Sequence, residues 1–213
     1  MPMTFRAKDS VLNVRRATTY TTYTPQYGII TTVPDQTILS GQAGATEVSY
    51  TGYARVTASF NAPATVSTIT RQVTNSGIVT WGTMTAGTGG HCGYVGEFDA
   101  ASAGNLLGFD KLPNVGSALT ITAASNATPI SVTATAHGLA TGMFVSVSAV
   151  GGNTAANGDF KVTNTGANTF TLDGSVGNGT YTSGGAAQRF GFEVTLAAPT
   201  PSAPIGLLIH QQT

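Results

Sequence analysis

From Thr128 to Ala187 the chain alternates short apolar runs with glycine turns and carries almost no charge. Apolar side chains recur at every second position in Ile130-Ser131-Val132 and Val145-Ser146-Val147, and in the pairs Phe160/Val162 and Phe170/Leu172. A period of two belongs to a strand with one face buried, whereas a helical face repeats every three to four residues. Between these runs stand His137-Gly138, Gly151-Gly152, Asn157-Gly158 and Asp173-Gly174. Glycine accepts positive φ there, and Asn or Asp closes a tight turn. The pattern predicts a complete small β module.

The run AHGLATGMFVSVSAVGGNTAANGDFKVTNTGANTFTLDGSVGNGTYTSGGAA, with HGL-x-TG, NG-x-F and F-x-L in that order, resembles a small β-barrel-like module related to a domain of ubiquitin-activating enzymes. That module recurs in tail and particle-surface proteins of bacteriophages. The resemblance implies a fold and no activity, and it makes His137 a turn-stabilising residue.

Upstream, Tyr53, Arg55, Thr57 and Ser59 alternate with Ala54, Val56, Ala58 and Phe60 before Pro63, which predicts an amphipathic strand. Further short apolar runs follow at 77–84, in CGYVGEFDAASAGNLLGFDKL and in SALTITAA. Residues 46–126 therefore read as an all-β sandwich of short strands. GATEVSYTGYARVTASFNAP, WGTMTAGTGGHCGYVGEFDAASAGNLLGFDKL and SALTITAA together resemble the short tail-fibre proteins of phages, most specifically in FDAASAGNLL, where one strand turns back and a second begins at Leu106. Ser49-Tyr50-Thr51 stand where that family carries more glycines. Its members run from the LTIT strand directly into a closing apolar strand; here the first module intervenes and Phe190–Leu196 supplies that strand. The expected organisation is an arm at 1–40, a sandwich at 41–126 plus 189–197, an inserted module at 127–188 and a tail at 198–213. Residues near 126 and 188 are then expected to be neighbours.

The arm offers Arg6, Lys8, Arg15 and Arg16, either to an acidic partner surface or to solvent, and Tyr20, Tyr23 and Tyr27 as docking aromatics. It reads equally as the first strand or two of the sandwich. The tail carries Ile205, Leu207 and Ile209 after its prolines, as a segment that adds to a sheet or packs on a partner. Truncating either is expected to abolish incorporation into particles while leaving the sandwich folded.

Charged residues make up 8% of the 213, against about a quarter in an ordinary soluble protein. A surface so poor in charge is weak at keeping molecules apart, which favours burial among neighbouring subunits. Nine basic and nine acidic residues cancel, which argues against a nucleic-acid footprint. Cys92 is the single cysteine, and MPMTFRAKDS lacks the apolar core of a signal peptide. No membrane insertion is expected, and assembly in the host cytoplasm is.

Chemistry is thinly represented. His91 and Cys92 are adjacent, so in a strand they face opposite ways. His210 reads as an interface residue, and Asp159 and Asp173 as turn residues. Asp99 and Asp110 are the one conspicuous carboxylate pair for a glycosidase. The glycine run 86–90 has neither a lysine nor a following helix to cradle phosphate. Trp81 and the tyrosines are the stacking candidates for a carbohydrate-binding reading. No catalytic residue, metal site or cofactor is expected. The reading is a virion structural protein, a tail-fibre or baseplate-type appendage that contacts other tail or capsid proteins and host-surface glycans. Its alternatives are a capsid decoration protein and a carbohydrate-binding protein. A homotrimer is expected by analogy with such assemblies.

Overall fold

The computed structural model describes residues 24–34, 45–65, 71–196 and 198–212. Among these the elements are strands, apart from one 3-10 turn at Thr154–Ala156. The chain divides into two compact units, one of Met1–Leu112 with Phe192–Thr213 and one of Pro113–Gly191.

The second unit is built on one seven-stranded sheet. Its order is Leu119–Thr120, Ala186–Phe190, Phe144–Ser148, Gly158–Gly166, Thr169–Leu172, Ile130–Thr133 and Ala123–Ala124, with every pair antiparallel. The two outermost strands are halves of a single segment: Ile121 donates its N–H to Gly185 O and Thr122 donates to Thr133 O. The sheet therefore curls until both of its margins are held by one short segment. Gly158–Gly166 makes the same bend opposite, pairing first with Phe144–Val147 and then with Thr169–Leu172. Ile130, Val132, Val162, Phe170 and Leu172 point inward and are fully buried, each contributing about 1.5–3 kcal/mol. Each run named from the sequence lies in a strand.

Where the chain enters this unit differs from expectation. Asn114 bridges Phe190, Val115 donates to Arg189 O, and Leu119 pairs with Ala187. The segments that meet are thus 114–119 and 187–190, not residues near 126, because SALTITAA supplies the closing strand of the curled sheet.

The first unit is assembled from shorter ladders. Gln26–Ile30, Tyr94–Phe98 and Leu106–Lys111 form a three-stranded antiparallel sheet, and the FDAASAGNLL reversal lies between its last two strands. Tyr27, Ile29, Trp81, Cys92, Val95, Leu112 and Leu208 are among its buried core. Tyr53–Phe60 runs extended with bridges only at Val56 and Phe60; Val56, Ala58 and Phe60 pack on the core while Ala54 is exposed.

Of the readings open for the two terminal segments, the described residues take the strand. Gln26–Ile30 is an integral strand with Tyr27 wholly buried against Phe60, because a tyrosine inside a paired strand packs on its own core. The tail likewise returns to its own unit. Ser202–Ala203 pairs with Val79–Thr80, and Ile209–Gln212 pairs with Arg71–Thr74. Asn75, fully buried, ties the tail down by donating from Nδ2 to Gly77 O and Pro204 O and accepting from Leu208 N.

Candidate functional site

Polar chemistry inside the first unit concentrates at Arg55, which is 8% exposed. Its Nε and Nη2 donate to the Glu47 carboxylate at 2.7–3.1 Å, and Nη1 donates to Ala100 O at 2.7 Å and Ala103 O at 2.6 Å. The guanidinium lies 3.6 Å from the centre of the Phe98 ring, a cation–π placement strengthened by the loss of water. Tyr53 donates its hydroxyl to Glu47 Oε1 and accepts from Ile29 N at 3.0 Å. Burial, with the Glu47 carboxylate next, holds that hydroxyl far above the ordinary tyrosine range. Gly28 makes room, since a Cβ there would run into Glu47 and the Tyr53 hydroxyl.

This arrangement fixes the reversal at 99–105. Asp99 accepts from Asn105 N at 2.7 Å and from Asn105 Nδ2 at 2.5 Å. Ala103 and Gly104 take φ of 51° and 74°, and the Ala103 carbonyl is the one Arg55 grips. A planar cation with donors on three edges suits the task, since one side chain reaches a carboxylate and two carbonyls together. The sequence placed Arg55 on a solvent face with Thr57 and Ser59; the signal against that reading was Glu47 upstream of an arginine in an otherwise charge-poor stretch.

The carboxylate pair is not assembled for glycoside hydrolysis. Asp110 lies opposite Val95 and Asp99 follows Phe98, so about 13 Å of strand separates them, beyond the roughly 9.5 Å such a pair uses. Burial raises the Asp110 pKa, and its carboxylate accepts from Ile209 N at 3.1 Å. His91 Nε2 stands 3.9 Å from Glu193, while Cys92 is buried on the other side of that strand. Trp81 is 1% exposed and donates Nε1–H to Tyr27 O at 2.8 Å, which removes it as a stacking platform. A shallow hollow lined by Ser49, Tyr50, Thr51, Gly87 and Thr88 offers hydroxyls, with Tyr50 already donating to Gly82 O.

In the second unit the motif residues tie turns together. His137 Nδ1 accepts from Leu139 N at 3.0 Å, while Nε2 faces Gly166 O at 2.8 Å and Thr169 O at 3.2 Å. Only the neutral ring with its proton on Nε2 satisfies all three. Its edge meets Phe170, with ring centres 5.1 Å apart. Asn157 accepts from Val150 N and donates back to Val150 O. Asp159 sits in the Gly158–Gly166 strand opposite Ser146, and Asp173 opens a turn with Gly174 at φ 76°.

Of the expected contact residues, Ile205 is 61% exposed, Leu207 packs on the core and Ile209 is half-buried. Arg6, Lys8, Arg15, Arg16, Tyr20 and Tyr23 lie outside the described residues, as does the side chain of His210. No group of three metal-ligating side chains occurs among the described residues, and no helix there is long and apolar enough to cross a membrane.

Both units are all-β, and their buried polar groups hold turns in place. The sequence comparisons are more specific. The family model described as podophage GP4 fiber I protein gp80 matches residues 3–123, more than half of the chain, and that of the ubiquitin-activating enzyme E1 FCCH domain matches residues 126–190. The chain belongs to the podophage fibre family and carries an FCCH-like module. No curated protein matches it.

Proposed function

We propose that this chain is a tail-fibre or baseplate-type appendage protein of a podophage, acting through contacts with other virion proteins and with the host surface. The observation that carries the reading is the family match across residues 3–123, which makes the chain a phage structural fibre protein and a virion component. Two features support the finer role. Only 8% of residues are charged, which suits a surface in contact with neighbours. The buried polar groups at Arg55, Asn75 and His137 are engaged with backbone or with one another, as a scaffold that presents surfaces requires. A homotrimer is the assembly we favour, and no catalytic step is part of the reading.

Copy number per particle tests it. Quantitative mass spectrometry of purified virions, with cryo-EM localisation, is expected to find a few to a few dozen copies on the tail. Hundreds of copies on the shell would overturn the appendage role in favour of capsid decoration.

A further inference from the structure

We propose that residues 135–141 form an acid-loosened strap, held to the turn at 164–169 by the neutral ring of His137. Main-chain bonds fix the two ends of the strap: Ala134 donates its N–H to Asn168 O at 2.9 Å, and Gly142 donates to Val162 O at 2.8 Å. Between those ends the bonds that cross to the turn are made through side chains. Ala136 N–H donates to Asn168 Oδ1 at 2.8 Å, Asn164 Nδ2 donates to Leu139 O at 2.8 Å, and Asn164 N–H donates to Thr141 Oγ1 at 3.0 Å. His137 joins them from Nε2, 2.8 Å from Gly166 O. Thr135, Ala136, Gly138, Ala140 and Thr141 are exposed, while His137 and Leu139 turn inward. Ala136 is held at φ 49°, a left-handed backbone that a residue with a Cβ adopts only at a cost. A strained, solvent-facing segment fastened at few points opens at lower free energy than the strands beside it.

His137 is the fastening that a proton can undo. Its Nδ1 accepts from Leu139 N–H at 3.0 Å, which only an unprotonated nitrogen can do. A second proton on the ring sets one N–H against another and places a cation among uncharged neighbours. The Phe170 ring it meets, 5.1 Å away between centres, is apolar. On Gly158–Gly166 the charged side chains are Asp159 and Lys161, the nearer of them five residues and about 16 Å of strand from Gly166. Thr169–Leu172 carries none, and Asp173 beyond it stands about 13 Å along the chain from Thr169. Neither the strap nor the preceding strand Ile130–Thr133 has a charged residue other than His137 itself. A buried cation without a counter-ion is costly, so acid favours the form in which the ring turns out to water and Leu139 and Phe170 lose their cover. The other ionisable side chains from Pro113 to Gly191 are Asp159, Lys161, Asp173, Tyr181 and Arg189. Between neutrality and about pH 5 an imidazole gains its proton, whereas carboxylates titrate below that range and the rest above it.

The test is amide hydrogen exchange of the full chain from about pH 7.5 to about pH 5, with each rate corrected for the intrinsic pH dependence of exchange. Protection of the Ala136, Leu139 and Asn164 amides is expected to fall by roughly tenfold or more over that range, approaching a slope of about one decade per pH unit, the mark of a single proton taken up on opening. The amides of Phe144–Ser148 are expected to keep theirs. His137→Asn retains a side-chain acceptor for the N–H two residues on and does not titrate, so the acid-dependent fall is expected to vanish in it. If that variant does not fold, the slope in the native chain decides. Protection at 136, 139 and 164 that holds to about pH 5, a fall shared equally by Phe144–Ser148, or an equal fall in His137→Asn would each overturn the proposal. The appendage reading stands or falls separately, on where the protein sits in the virion and in how many copies.

Discussion

The two units reach similar burial by different routes. The Pro113–Gly191 unit curls one sheet around its core, draws that core from residues between Ile121 and Ala187, and fixes its turns with neutral groups such as His137 and Asn157. The other joins several short ladders, places a charged cluster inside, and needs residues 202–212 to complete strands begun at 71–80. Pairings that all fall within residues 113–191 make a self-sufficient unit, whereas pairing with residues 202–212 makes one that depends on its tail.

The strongest way to break this contrast is to remove the tail. Ending the chain at Thr195 removes Ala203 and Leu208 from the core and strips partners from Arg71–Thr74 and Val79–Thr80. We expect loss of cooperative folding in the first unit while an excised 113–191 fragment still unfolds cooperatively. Trp81, the only tryptophan, reports the first unit by fluorescence, and circular dichroism reports the fragment. This reverses the sequence expectation that a truncated tail leaves its unit folded. A truncated chain whose tryptophan emission stays native would sink the contrast.

Next in size is the charged cluster. Arg55→Ala leaves Glu47 without its cation and two loop carbonyls without their donor, a loss expected to cost about 3–5 kcal/mol. Glu47→Gln combined with Arg55→Met removes both charges together and is expected to recover part of that loss. In the other unit His137→Ala removes neutral bonds only, with an expected cost of about 1–3 kcal/mol. Urea unfolding, followed by tryptophan emission for the first pair and by circular dichroism of the fragment for the second, ranks the two. A larger loss at His137 than at Arg55 would mean that charge burial does not distinguish the units.

Legibility follows the same division. In the second unit, strands were readable from period-two runs and turns from the glycines, because each strand buries one face and leaves that period in the sequence however far away its partner lies. The FDAASAGNLL reversal was readable because its two strands are one hairpin apart. Arg55 was not, since its grip on Ala100 and Ala103 spans 45 and 48 residues and nothing local in the strand pattern marks a buried cation. For Tyr27 and the tail two readings stayed open, since an apolar stretch looks the same whether its partner strand is its own or a neighbour's. SALTITAA, which the podophage fibre match includes up to Ala123, pairs with the curled sheet, and a two-residue ladder at each of its ends leaves almost no pattern to show this.

Alkaline titration sharpens the comparison further. The Tyr53 hydroxyl, held well above its unfolded value by burial and by Glu47, keeps its proton in the folded chain after the unfolded chain has lost its own. The stability it contributes is complete below about pH 10 and is lost progressively as pH rises beyond that. Tyr53→Phe is expected to cost about 1 kcal/mol at neutral pH and to flatten the alkaline decline in the first unit, leaving a residual slope from Tyr50, which burial also raises. An identical alkaline slope in the variant would show that the hydroxyl ionises freely.

The smallest expected effect on stability separates the two roles the tail was given. Leu208 and Ala203 are buried and Leu207 packs on the core, but Ile205 stands 61% exposed near Ile78, itself 64% exposed, where the Val79–Ala203 pairing brings the two loops together. A serine at an exposed turn removes no core contact, so Ile205→Ser is expected to shift stability by less than about 0.5 kcal/mol. If the apolar pair docks on a neighbouring virion protein, the same substitution lowers incorporation into particles, measured by complementing a phage that lacks the native copy. Reduced incorporation at unchanged stability would assign the tail a contact surface in addition to its strand. Normal incorporation would confine it to closing its own sheets and move the search for subunit contacts to residues 1–23.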